Sequence, residues 1–406
     1  MLNLSDTDPF NKILDDIAYQ LYNEKLSKGQ IHPELYRKTA DELMNGMYEG
    51  LGGTSFGYED PRNTLSAYLS ENIHKFSTAK SLAQQQQLSK LLTGADGNPR
   101  NFTDFRDAVQ EAGFQFNINY LRTEFDTAFA SAQMAYQWEQ LKNNDFLEYS
   151  TVGDNRVRPA HAALDGLTLA ADSNVWRKIW PPNDWLCRCT IVSGIASNAS
   201  TDIEAGSKLK DNPINPLFEF NPGTEKLIYD NGHPYYKAVP KQLLAVKNYG
   251  LKTIEKIYAD DNLPARLEMA SEKEYRNWWV SMRNITGTDD FVIKDKVGTS
   301  VLFDSVETPG NINPYKHFKD HILKRSNEER WRYAANLEDI LMQPDEIWCS
   351  RENGKIFNYY LKYFADAPYV VIATDKYGII TADTMYVLSE LRAKQIRQGA
   401  LIYVNK

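Results

Sequence analysis

Two groups of residues in this sequence have types and spacings that could do chemistry. The first lies between Tyr149 and Ser193, where His161, Asp165 and Asp184 accompany Cys187-Arg188-Cys189, two of the chain's three cysteines. Cysteines two apart in a strand present their sulfurs on one side. Two sulfurs, an imidazole and one further donor are the inventory of a tetrahedral zinc site. His161, Cys187 and Cys189 are therefore candidate metal ligands, with zinc the one cofactor the residues suggest, and Asp165 and Asp184 could also meet the sulfurs. The plainer reading is that the thiols are small buried apolar groups and that His161 and Asp165 hydrogen-bond across a turn. The second group is His317 and His321, four apart on one helix face, followed by Lys324, Arg325, Arg330 and Arg332, with Lys362, Thr374, Thr381, Tyr386 and Arg397 further along. A histidine titrating near neutrality can take a proton from a ribose 2′-hydroxyl or give one to a leaving oxygen. Fixed cations stabilise the extra charge on phosphorus in the transition state. The alternative is a solvated helix face. The run His317-Phe318-Lys319-Asp320-His321 lacks the glutamate that a helical zinc-protease motif needs after its first histidine.

The elements that must hold these groups can be read from periodicity. Residues 1–148 read as helical. Ile13, Ile17 and Leu21 mark one helix face, Leu65 to Leu92 a second helix, and Asn119 to Leu141 the best of them, with Leu121, Phe125, Ala128, Ala132 and Tyr136 along one side. Pro181-Pro182 bars helix and central strand, and Thr190-Ile191-Val192 reads as a β-branched strand. Asn, Ser, Asp, Pro and Gly crowd Ser197 to Gly223, a loop-forming composition. His233, between Gly232 and Pro234, reads as a turn residue. Lys241 to Tyr258 has the pattern of a helix. From residue 262 on, short helices precede strand-like runs at 346–349, 356–364, 369–373, 379–382 and 400–404, with Asn353-Gly354 and Lys376-Tyr377-Gly378 as hairpin turns. The expected fold class is multidomain: an α-helical N-terminal part, then α+β domains, the last with helices packed on an antiparallel β-meander.

Composition bounds the rest. A chain of 406 residues is long enough for two or three domains. Its net charge of −8 excludes whole-chain electrostatic binding to nucleic acid, so any such contact is local. Three cysteines in this length argue against a disulfide framework. No apolar run approaches the ~20 residues of a membrane helix, and the N-terminus has no basic start and apolar run of the secretory kind.

Two stretches resemble known families. Thr151, Asp154, Arg156, Val157, Arg158, His161, Leu164, Asp165, Gly166, Trp176, Pro181, Pro182, Asn183, Trp185, Cys187, Arg188 and Cys189 follow the signature of the phage Mu F-like minor head proteins. Some members carry a Cys-x-x-Cys pair where this chain has Arg158 and His161, completing a four-sulfur site. His317 to Arg325, the run from Asn336 to Trp348, Tyr360 to Phe364, Val370 to Thr374, Ile379 to Thr381 and Gly399 to Tyr403 resemble the phage-type barnase–EndoU–colicin–RelE nucleases. The first resemblance implies a head-morphogenesis role, with phage portal and capsid proteins as partners, in the virion or in host cytoplasm during assembly. The second implies a metal-independent endoribonuclease carried as a toxin, with RNA as substrate and an immunity protein as a possible partner. On that analogy His321 is the acid or base, His317 a second proton-transfer group or its support, Lys324 and Lys362 contact phosphate, and Thr381 and Tyr386 supply hydroxyls. The competing implication is a purely structural head protein whose C-terminal domain has lost catalysis. The expected order is a helical region 1–148, the signature domain 149–240, a connector 241–261 and the nuclease-like domain 262–406.

Overall fold

The structure is a computed structural model that describes residues 9–26, 29–239, 249–260, 262–305, 317–324 and 329–405. The chain divides into two compact units, one of residues 1–53 with 72–250 and one of 54–71 with 251–406. No helix among the described residues is long and apolar enough to cross a membrane.

The first unit is built on helices α1 (Pro9–Tyr22), α2 (Pro33–Leu51), α3 (Pro61–Lys90, from Asn72 onward), α4 (Phe102–Phe114) and α5 (Leu121–Leu141), with a π-helical stretch joining the last two. His32 caps α2, its Nδ1 accepting from the Leu35 amide. Gly52 closes that helix at φ 76°, the left-handed geometry glycine tolerates. Gly50 lies inside α2 and serves packing: a Cβ there would come 2.2 Å from the Phe129 carbonyl oxygen of α5. The two backbones can therefore touch only through glycine. Helix α3 is polar by sequence yet buried along most of its length. Its Lys80 is wholly buried, pairs with Glu124 of α5 and donates to the Phe116 carbonyl. Tyr235 donates to the same carboxylate at 3.0 Å.

The signature stretch packs on α5 as a small antiparallel sheet ordered β2-β1-β3, with β1 Phe146–Ser150, β2 Thr168–Ala170 and β3 Thr190–Ser193. Trp176 and Trp180 are fully buried. Trp180 Nε1 donates to the Met134 carbonyl at 2.9 Å and its ring meets Trp138 edge-on at 5.0 Å. His233 caps a short helix by accepting from the Tyr235 amide, and burial holds its pKa down at about 4. The turn role expected of it is thus the one it has. Of the expected helix 241–258, residues 241–248 lie outside the described residues, and 254–260 are helical.

The second unit is a seven-stranded sheet ordered β10-β6-β7-β8-β9-β5-β4. The strands are β4 Phe291–Lys294, β5 Ser300–Phe303, β6 Glu346–Glu352, β7 Lys355–Tyr363, β8 Pro368–Lys376, β9 Ile379–Val387 and β10 Ala400–Val404. The run β6 to β9 is the expected meander. Two of its three hairpins turn at Asn353-Gly354 and Tyr377-Gly378, all four residues at positive φ. The exception to antiparallel pairing is the β5–β9 contact, Leu302 opposite Thr381. One sheet face, carrying Ile356, Tyr360, Val371, Ala382 and Met385, packs against Trp279, Phe318, Ile322, Trp331, Leu337 and Ile340 from the helices. Residues 54–71 belong to this unit: Asn63 exchanges two hydrogen bonds of 2.8 Å with Ser300, and Tyr68 joins the core. Sequence reasoning placed that segment with the N-terminal helices, because a long-range docking leaves no local pattern.

Asp295, in the turn from β4 to β5, accepts from the Val297 and Thr299 amides at 3.0 and 2.7 Å and from the Tyr360 hydroxyl at 2.8 Å. Burial outweighs these bonds and raises its pKa to about 6, above the ~3.9 of an unfolded chain. Between these values the folded state keeps a proton the unfolded chain has lost. That contribution is fully present below the unfolded value and is lost as pH rises through the folded one, about 3 kcal/mol in all. In Asp295→Asn, urea titrations of the second unit should lose much of their dependence on pH between about 4 and 7. An unchanged slope would mean another group titrates.

Candidate active site and candidate metal centre

His317 opens the helix Phe318–Lys324, and its position is set by Asp304 at the end of β5. Asp304 Oδ2 lies 2.9 Å from His317 Nδ1, and its Oδ1 accepts from the Phe318 amide at 2.9 Å. His317 is buried, and its carbonyl accepts the His321 amide at 2.8 Å. This arrangement makes His317 a support that fixes the first helical turn. One turn on, His321 Nε2 lies 3.1 Å from the Thr384 hydroxyl of β9. Arg330 Nη1 donates to the same hydroxyl at 2.6 Å and lies 3.5 Å from His321 Nε2. The Arg330 guanidinium also covers the Tyr386 ring at 5.0 Å, a contact favoured by the ring's negative face.

A backbone irregularity brings these strand residues together. Ile372 faces Thr384 and Ala373 faces Ala382, so Asp383 is an extra residue in β9. Such a bulge re-aims the side chains beside it. The donor order that satisfies all three groups runs from Arg330 to the Thr384 oxygen and from the Thr384 hydroxyl to Nε2. His321 Nε2 is then an acceptor, the form a general base requires.

Of the six residues expected at the active site, the structure brings together His321 and Tyr386, with His317 behind them. Lys362 is not among them. It sits on β7, two strands from β9, and its ammonium is held by the Gln343 carbonyl at 2.6 Å and Asp339 at 3.3 Å. Thr381 is buried next to β5 and its hydroxyl donates to the Ile379 carbonyl at 3.3 Å. The Lys324 side chain and Arg325 lie outside the described residues. Thr384 was missed and Arg330 was given no role. Only the bulge and the fold around Tyr386 mark them, and neither has a sequence signal beyond a threonine in a strand and an arginine in a basic run.

In the first unit, His161 lies in a single helical turn, Pro159–Ala162, and the two cysteines lie just before β3. His161 Nδ1 is 3.7 Å from both Cys187 Sγ and Cys189 Sγ, and the three donor atoms fall within 4.8 Å of one another. A tetrahedral zinc ion with ordinary bond lengths separates its sulfur and nitrogen ligands by about 3.6 Å. The hydrogen bond from Cys189 holds the Cys187 thiol down at about 4, with His161 adding to it, while the same bond and burial push Cys189 up. Asp165 and Asp184 are engaged elsewhere. Asp165 accepts from the Thr151 amide and hydroxyl, and Asp184 pairs with Arg158 at 3.0 Å. Arg188 clamps Asp154 with two bonds of 2.8 Å. The residues present fit a thiophilic cation with three protein ligands.

Residues 104–192 match the family described as Phage Mu protein F like protein, and residues 289–404 match the phage-Barnase-EndoU-ColicinE5/D-RelE like nuclease2 family. The chain joins a Mu F-like domain to a nuclease-like domain. Two curated relatives are similar to part of it. The Mu-like prophage FluMu F protein of Haemophilus influenzae is 41% identical over 71 residues, 18% of this chain and 17% of that protein. The putative capsid assembly protein F of Escherichia phage Mu is 24% identical over 135 residues, 32% of this chain and 29% of that protein. The chain therefore matches less than a third of each relative's length. No solved structure matches it. The Mu F-like match takes in α5, His161, Cys187 and Cys189, and the nuclease-like match takes in His317, His321, Arg330, Thr384 and Tyr386.

Proposed function

We propose that this chain works in phage head assembly through its Mu F-like domain and cleaves RNA through its nuclease-like domain. The observation that carries the second half is the convergence of His321, Thr384 and Arg330 on one hydroxyl. In this reading a ribose 2′-hydroxyl takes the place of the Thr384 hydroxyl at His321 Nε2 and gives it a proton. The 2′-oxygen then bonds to phosphorus, the bond from phosphorus to the 5′-oxygen breaks, and the leaving oxygen takes a proton from water. Arg330 stabilises the charge that builds on the phosphoryl oxygens. The products are a 2′,3′-cyclic phosphate and a 5′-hydroxyl. The reacting groups are a base, a cation and two hydroxyl-bearing side chains, so the proton transfers run without a metal. As a toxin the domain would travel with the virion, with portal and capsid proteins as assembly partners and an immunity protein as its check. The test is RNA cleavage by the full chain, with His321→Ala as the control; a well-folded chain that cuts no RNA would leave the structural head-protein reading.

The His161–Cys187–Cys189 geometry favours a second, separate assignment: a zinc ion that ties the start of β3 to the turn at His161. Bound zinc would supply a cross-link between these segments and no chemistry for RNA. Purified protein should hold about one zinc per chain. Cys189→Ser should lose most of it and lower the unfolding temperature. Metal content near zero in protein prepared without chelators would reduce the cluster to packed thiols.

A further inference from the structure

Residues 54–71 lie outside both family matches, yet they are built into the nuclease-like unit. Asp60 and Pro61 start a helix there. The Asp60 carboxylate accepts the Arg62 amide at 2.9 Å, and proline suits the first helical position. The next two residues, both buried, reach two strands. Asn63 holds Ser300, the first residue of β5, by its amide and its carbonyl. Thr64 Oγ1 donates at 2.6 Å to the carbonyl of Gly378, the residue just before β9. One turn on, Tyr68 shares the Thr64 face. Its hydroxyl donates to Asp375 at 2.9 Å and accepts the Ile356 amide at 3.3 Å, and Arg351 covers its ring at 4.8 Å. Upstream, the Phe56 carbonyl accepts the Ser300 hydroxyl at 2.6 Å. A Cβ on Gly298, at φ 94°, would come 2.6 Å from the Thr54 carbonyl oxygen, so the segment and the β4–β5 turn approach backbone to backbone.

The two strands joined in this way run parallel, and among the described residues their register rests on one pair, Leu302 opposite Thr381. β9 is tied to β8 by a long antiparallel ladder, whereas β5 has only the short β4 on its other side. Both strands lead to the candidate active site. Past the end of β5, Asp304 holds His317 and the Phe318 amide, and so places the helix that carries His321. Further along β9, Thr384 meets Arg330 and His321. We propose that residues 54–71 are an intramolecular clip that sets β5 against β9 at the spacing the His321 cluster needs. The proposal rests on the RNA-cleaving reading above and adds that cleavage depends on a segment that precedes the Mu F-like match in the chain. Asn63 and Thr64 are positioning residues: they act through the starts of two strands and touch no reacting group. Such action at a distance is strong enough to matter, since a misplacement of ~1 Å at the reacting groups can cost about 10²-fold in rate.

The test uses the full chain in three variants. Thr64→Val keeps the shape and removes the donor to Gly378, Thr64→Ser keeps the donor, and Ile347→Val loosens the core of the same unit from β6. Thr64→Val should lower kcat for RNA by about 10-fold or more, with KM within about twofold of the wild type. Thr64→Ser and Ile347→Val should keep the wild-type kcat. In Thr64→Val, hydrogen exchange should quicken in peptides from 299–304 and 378–387, and the His321 Nε2 resonance should move as its Thr384 partner is displaced. These two readouts do not depend on turnover. Wild-type exchange with an unmoved His321 resonance in Thr64→Val, or equal loss of kcat in Thr64→Val and Ile347→Val, overturns the proposal. A chain that never cuts RNA, yet whose His321 resonance moves with Thr64→Val, would sink the catalytic reading and leave the clip standing; a chain that cuts RNA and keeps its kcat in Thr64→Val would do the reverse.

Discussion

In the proposed reading, His321→Ala should lower the rate of RNA cleavage by about 10²–10⁴-fold, the range for loss of a positioned proton-transfer group. Arg330→Ala should cost at least about 10²-fold, as expected when a cation at the developing charge is removed. The argument is geometric. Arg330 is buried and donates to Thr384 at 2.6 Å while touching Tyr386 and His321. Its loss therefore removes a charge and loosens the threonine that sets the imidazole. Arg330→Lys should recover little, since an ammonium cannot cover Tyr386 and reach the Thr384 hydroxyl with a planar fork. Lys362→Ala is the informative contrast. That lysine's partners are Gln343 and Asp339, so its removal should change cleavage by less than about threefold once stability is matched. A large loss there would place the site elsewhere on the sheet. Initial rates on one unstructured RNA, compared across the four variants, decide between these outcomes.

The second large effect is on stability. Lys80→Ala should destabilise the first unit by about 3–5 kcal/mol, the cost of leaving one member of a buried ion pair without the other. Both side chains are almost completely buried. Burial pulls the Lys80 pKa down and Glu124 pulls it back, so the two groups hold each other's charge. Without the ammonium, the Glu124 carboxylate keeps Tyr235 as its partner and loses its counter-charge. Lys80→Met combined with Glu124→Gln should cost clearly less than Lys80→Ala alone, a coupling that two independent contacts would not give. Hydrogen exchange of peptides from residues 121–141 reports this unit by itself. Protection that falls equally in single and double variants would show that packing, and not the charge pair, is at stake.

How much of this was legible in the sequence follows from the range of each interaction. The 121–141 helix and the β6–β9 meander were readable because their periodicities and turn residues are local. Asn353-Gly354 adopts the positive φ pair that its residue types ask for. Trp176 and Trp180 were conspicuous, and they are core. The β4 strand and the docking of residues 54–71 were not readable, since short strands and long-range caps such as Asn63 on Ser300 carry no period. In the candidate active site, His321 stood out by type, and Tyr386 by resemblance. Lys362 was assigned to phosphate by resemblance, yet its ammonium is committed to the Gln343 carbonyl. Thr384 was not singled out at all, and it meets Arg330 beside the extra residue at Asp383. A one-residue shift in a strand changes which side chains meet, and residue types alone do not encode it.

The most direct measurement is the chemistry of the cut ends. The full chain, its folding checked by circular dichroism, is incubated with a single-stranded RNA while divalent cations are chelated, and the termini are identified by mass spectrometry. The arrangement around His321 predicts 2′,3′-cyclic phosphate and 5′-hydroxyl ends, formed by the wild type and absent with His321→Ala. Ends bearing 5′-phosphate, cutting that stops on chelation, or equal cutting by His321→Ala would contradict it.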